Sequence, residues 1–171
     1  VSAALDKLNV PFAAAYLDKV VQVRLPVPPL SFTQRVAQMN AGLARLPSEA
    51  CETHFPSHEN RIGSVFHHGL SELMEHPRDV VRLFDVLMSI EPNLRGEVNL
   101  GDLMGLAALM TKAPNVFSLL RSTPQAFVGR RPGTQDSMKK PEEVIDRFSS
   151  DRESAINACG NPAAVQELVH W

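Results

Sequence analysis

Two arginines, Arg78 and Arg82, are spaced to serve one anion. Four residues apart on a helix they share a face, and like charges at that spacing repel. Pro77 suits the first turn of such a helix, which places Arg78 where the positive end of the macrodipole disfavours a cation. A helix carrying both costs has reason to present its guanidinium groups to an anion. The plainer alternative is two solvated arginines offset by local carboxylates, with Asp79 and Asp85 at hand. Lys19 is the other cation of interest, at the end of a helical stretch just before an apolar run. A cation is favourable at a helix C-terminus whether or not it binds anything.

Other chemistry finds less support. No GxxxxGK[ST] occurs, so the chain has neither the backbone cradle nor the lysine that grips nucleotide phosphates. Val80-Val81-Arg82-Leu83-Phe84-Asp85 imitates an apolar strand ending in a metal-binding aspartate, but Arg82 interrupts it and the apolar spacing continues helically beyond. His54 and His58 are four apart, yet Pro56 between them disfavours the helix that would align them, and no HExxH is present. No metal site is expected. The two cysteines, Cys51 and Cys159, fall outside any CxxC spacing and read as free thiols in a reducing cytoplasm. No GxSxG elbow supports a serine nucleophile.

The elements that must position these residues are overwhelmingly helical. Ser2–Asn9 and Pro11–Lys19 have helical apolar spacing, and Val20–Leu25 reads as one strand closed by Pro26, Pro28 and Pro29. A lone strand leaves its backbone groups unpaired, so it implies a sheet encoded elsewhere. Ser31 and Gln34 fit a capping box for a helix with Phe32, Val36, Met39, Leu43 and Leu46 on one stripe. Residues 47–59 form a loop or short helical piece. One helix then carries Ile62, Val65, Phe66, Leu70, Leu73 and Met74, and the next runs from Pro77 to about Ile90, stopped by Glu91-Pro92-Asn93. Asn99 caps Leu100–Lys112, and shorter helical pieces follow at Pro114–Arg121 and Pro124–Val128. Residues 129–140, polar and basic with two glycines and a proline, read as a flexible loop. Helices resume at Pro141, break at Gly160-Asn161, and end with one capped by Asn161-Pro162.

The expected fold class is therefore mainly all-α, a multi-helix bundle with one N-terminal strand. At 171 residues, 44% hydrophobic and 21% charged, the chain can bury a core. A formal charge of −2 provides no global basic field for nucleic acid, and no apolar run is long enough to span a bilayer. A start at Val1 and an end inside a helix give both termini the look of cuts.

Two stretches carry a resemblance. Tyr16-Leu17-Asp18-Lys19-Val20-Val21-Gln22-Val23, followed by Leu25-Pro26-Val27-Pro28-Pro29-Leu30-Ser31, resembles a signature of KAP-family P-loop NTPases. There an aromatic-Leu-acid-Lys-aliphatic-aliphatic-Gln segment leads into the last core strand and a proline-rich exit. His76 to Leu87 is similar to that family's Pro-Arg-x-aliphatic-x-Arg helix, with Asp85 where the family usually has Asn, and Glu97–Leu103 resembles the start of its following helix. The resemblance covers about residues 1–128. It implies that residues 1–30 end an ATPase core, that 31–128 form a helical lid-like domain, and that 141–171 are additional C-terminal helices. The nucleotide-binding half would lie upstream, with ATP and Mg bound by the full-length protein and no cofactor held by this chain alone.

By the same resemblance Arg78 is the lid arginine that touches nucleotide phosphate, Arg82 stands second, and Lys19 is a contact to the nucleotide of an oligomeric neighbour. The chain alone would not hydrolyse ATP, while its parent would be a nucleoside-triphosphatase in the cytoplasm, with membrane association through segments elsewhere. Two other readings stand beside this one. The first is a helical protein–protein interaction domain with no nucleotide role; the second is a small hydrolase built on the histidines.

Overall fold

The computed structural model describes residues 27–51, 61–127 and 141–171, and every regular element among them is helical. Helix α1 spans Phe32–Leu43, α2 Ser48–Cys51 and α3 Arg61–Val65. A kinked wide turn over Phe66–Leu70 leads into the short α4, Ser71–Leu73. Then come α5 (Pro77–Leu94), α6 (Leu100–Lys112), α7 (Pro114–Ser122) and a 3-10 turn at Pro124–Ala126. Helices α8 (Pro141–Asn157) and α9 (Pro162–His170) complete the described chain. The mainly all-α class holds. The strand expected at Val20–Leu25 lies outside the described residues, and no strand occurs among them.

Local chemistry accounts for the helix starts. Ser31 N–H donates to Gln34 Oε1 at 2.9 Å and Gln34 N–H donates to Ser31 Oγ at 3.4 Å, so two otherwise unpaired donors are satisfied reciprocally. Asn99 accepts from Gly101 N–H at the start of α6, and Asn161 Oδ1 accepts from Ala164 N–H at 3.3 Å before α9. Pro77, Pro114 and Pro162 each sit in a first turn, where a missing N–H leaves no bond unmade.

One apolar cluster holds the bundle. Val80, Leu83, Phe84 and Leu87 of α5 pack on Leu103, Met104 and Ala107 of α6. Val65 and Leu70 join from the α3 side, and Ala164, Val165 and Leu168 bring α9 into the same core. Each fully buried side chain of this size contributes about 1.5–3 kcal/mol of transfer free energy.

Two expected element boundaries are corrected. Residues 62–74 are not one helix: His68 (φ −97°, ψ 67°) and Gly69 (φ 89°, ψ −28°) leave the helical region. Gly69 adopts a left-handed backbone that disfavours a side chain, and a Cβ there would fall on the carbonyl oxygen of Ala164 in α9. The kink is what lets the two backbones approach. Helix α5 also runs past Ile90 to Leu94, through Pro92. Pro92 lies in the last turn, where one lost bond is tolerated, and the stop is Gly96 at φ 81°, with the N–H groups of Glu97 and Val98 both reaching Leu94 O.

The N-terminal turn of α5 as a candidate anion site

The segment leading into α5 is tied to the point where the described chain begins. Leu30 is buried and its N–H donates to Glu75 O at 2.7 Å. Arg35 of α1 stitches the same corner, its Nε donating to Leu30 O at 3.1 Å and its Nη1 to Ser71 O at 3.0 Å. Leu30 and Arg35 therefore lie beside the segment that enters the first turn of α5.

In that turn Arg78 is exposed, and so is Arg82 one turn on, with Val81 between them half exposed at 50%. Val80, Leu83, Phe84 and Leu87 take the opposite, buried face. Asp79 does not offset the arginines. Its carboxylate is turned inward and is 6% exposed. Oδ2 accepts from His76 N–H at 2.9 Å, and Oδ1 pairs with Lys112 Nζ of α6 at 3.0 Å. Among the described residues neither Arg78 nor Arg82 has a hydrogen bond or ion pair, and Asp85, exposed on the same face, pairs with neither. His76 Nδ1, two residues before Arg78, is buried without a hydrogen-bond partner among the described residues.

So the structure brings Arg78 and Arg82 to one solvent-facing stripe at the start of α5. Lys19 falls outside the described residues. The Lys112–Asp79 pair is a feature that sequence reasoning missed. A lysine in the last turn of a helix is ordinary, and nothing in its spacing reveals a partner 33 residues upstream.

The histidines assemble differently. His67, His68 and His170 line a groove between α3 and α9 with Ser64, Glu167 and Trp171. Among the described residues no three potential ligands converge to hold a metal ion. His68 Nδ1 lies 2.7 Å from Ser64 O. A carbonyl only accepts, so that nitrogen carries the proton and cannot take one from the Ser64 hydroxyl, 3.4 Å away. Ser64 Oγ accepts from Trp171 Nε1 at 2.8 Å, and the Arg61 guanidinium lies 4.7 Å from the Trp171 ring centre while pairing with Asp102 at 2.8 Å. His67 stacks on Phe32 and meets the edge of Phe66. These are packing and latching contacts, not a nucleophile with its base. Burial pushes the Cys159 thiol up, which keeps it protonated and poorly nucleophilic. His54 and His58 lie outside the described residues.

At the far end of α5 a second ion pair is structural. Glu91, 2% exposed, accepts from Arg95 Nε at 2.7 Å and Nη2 at 2.8 Å, and these bonds hold its carboxyl below the usual glutamate range. No single helix among the described residues is long and apolar enough to cross a membrane. Comparison with protein-family models, with curated proteins and with solved structures finds no match to this chain.

Proposed function

We propose that this chain is the helical lid of a KAP-like P-loop ATPase, closing on MgATP held by a nucleotide-binding domain that precedes it. The observation that carries the reading is the placement of Arg78. It is exposed and, among the described residues, unpaired in the first turn of α5, beside the corner where Leu30 N–H donates to Glu75 O. A lid arginine must face the domain it closes on, and this corner is where such a domain would attach. Two uncompensated guanidinium groups in water favour an anion of several charges, and a polyphosphate supplies one. ATP and Mg would be bound in the full-length protein, with the upstream core as the first partner. A homo-oligomer would bring Lys19 to a neighbour's nucleotide, and the assembly would work in the cytoplasm.

The test uses the polypeptide that joins this chain to its nucleotide-binding domain. The arginine charge acts most on the charge-rich transition state, so Arg78→Ala should lower ATP turnover about a hundredfold or more, as removal of one electrostatic stabiliser does. Arg82→Ala should do less, being about 6 Å farther along the axis. Both variants should keep the helical circular dichroism of the parent, because both side chains are exposed. Full turnover in both overturns the reading.

A second reading, a helical interaction domain without nucleotide, draws on Phe32 and Val81, large apolar side chains that are 53% and 50% exposed. The upstream sequence separates the two. A GxxxxGK[ST] there favours the lid, and its absence favours the interaction domain.

A further inference from the structure

We propose that Lys112 is a positioning residue for the anion site: by holding Asp79 inward, it keeps that carboxylate off Arg82 and leaves the guanidinium free for an external polyphosphate. The inference rests on the lid reading for the identity of the anion, but its structural half stands on the geometry of α5 and α6 alone.

Asp79 precedes Arg82 by three residues on α5, a spacing at which side chains meet. An acid N-terminal to a base is the favoured order for such a pair, because each charge then complements the helix dipole. Asp85 follows Arg82 by three and has the unfavoured order, and in the structure it pairs with no arginine. Asp79 is therefore the intrahelical acid best placed to neutralise Arg82, and it is withheld. Its Oδ2 caps His76 N–H, its Oδ1 meets Lys112 Nζ at 3.0 Å, and it is 6% exposed. Lys112 comes from the last turn of α6, where the helix C-terminus favours a cation, and α6 packs along α5. Arg78 is adjacent to Asp79 and does not face it, so the competition concerns Arg82.

Without Lys112 the buried Asp79 carboxylate would keep the His76 N–H but lose its counter-ion, which is unfavourable for a buried charge. Rotation outward onto Arg82 would relieve it. The two arginines would then present one net charge where they now present two.

The experiment has two arms. In this chain, hydrogen exchange at the Arg78 and Arg82 Nε–H groups is followed by NMR. Both should exchange fast in the wild type. Lys112→Met should slow Arg82 about twofold relative to Arg78, the scale of one intrahelical ion pair. Lys112→Met/Asp79→Asn should return it to the wild-type rate, because a neutral amide does not capture a guanidinium, and Lys112→Arg should match the wild type. In the polypeptide joined to its nucleotide-binding domain, ATP turnover should follow the same order. It should fall about twofold in Lys112→Met and recover in the double variant.

A merely structural lysine predicts the opposite ranking, with no recovery on adding Asp79→Asn. Unchanged Arg82 exchange in Lys112→Met, or a double variant no nearer the wild type than the single, overturns the inference. Should Lys112→Met fail to fold, Asp79→Asn alone decides. With the carboxylate already withheld, it should leave Arg82 exchange unchanged, and a changed rate overturns the proposal. Full turnover in Arg78→Ala and Arg82→Ala would sink the lid reading while leaving the exchange arm to judge the Lys112 tie.

Discussion

Arg78 and Glu91 lie on the same helix and show how position decides what a charge is for. Arg78 is exposed and has no partner among the described residues, so under the proposed lid function its removal should change turnover and not folding. Glu91 is buried against Arg95, so its charge belongs to the fold. The bonds from Arg95 hold the folded-state pKa of Glu91 below its unfolded value. The stability this contributes is present in full above the unfolded pKa, about 4.3, and is lost as pH falls through the lower folded value. Glu91→Gln should accordingly have a lower Tm than the wild type at pH 7, with the gap narrowing below about pH 4.3. A gap that stays constant from pH 7 to pH 3 in thermal melts would contradict the assignment. The sequence marked Arg78 and Arg82 by residue type and spacing. It did not reveal that Asp79 turns away from them, because that turn is decided by a lysine on another helix.

At the scale of elements, helix starts were legible and one helix interruption was not. Ser31, Asn99 and Asn161 act within three residues of the groups they cap, so their effect can be read locally. The break at Gly69 depends on α9, whose backbone sits where a Cβ would go. Apolar spacing continues on either side of it, and periodicity alone therefore reads Ile62 to Met74 as continuous. Gly69→Ala combines a left-handed backbone with an overlap on Ala164 and should destabilise by about 2 kcal/mol or more. Chemical denaturation measures it directly. A midpoint unchanged from the wild type would mean that the kink is not fixed by contact with α9. Pro92 teaches a related lesson. It reads as a stop, but a proline in the last turn removes only one bond, and Gly96 with its left-handed backbone does the terminating.

For the whole molecule, the last helix is part of the core. Val165 and Leu168 are buried beside Val65 and Leu70, and Trp171 bridges to α3 through Ser64 and Arg61. Trp171→Ala gives up a hydrogen bond and a cation–π contact, and should lower stability by about 1–2 kcal/mol. A variant as stable as the wild type would show the latch to be dispensable. Nucleotide affinity also belongs to this scale, since the phosphate cradle is a backbone feature of a loop this chain does not contain. The chain by itself should show no binding of MgATP in the micromolar range by calorimetry. A micromolar Kd would mean that the site is built here after all, and the proposed division between lid and core would fall.

Residue types and their periodicity were enough to determine that the chain is mainly helical, where most helices begin, and that Arg78 and Arg82 share one helix face. Those properties are set by interactions within a turn or two of the backbone, and a single sequence displays them. The burial of Asp79 against Lys112, the kink at Gly69 and the docking of α9 against the Phe66–Leu70 turn were decided by tertiary structure. Each depends on groups many residues apart meeting in a packed core. The free energy of such a meeting comes from excluded water and matched shapes, which leave no periodic mark in the order of the residues.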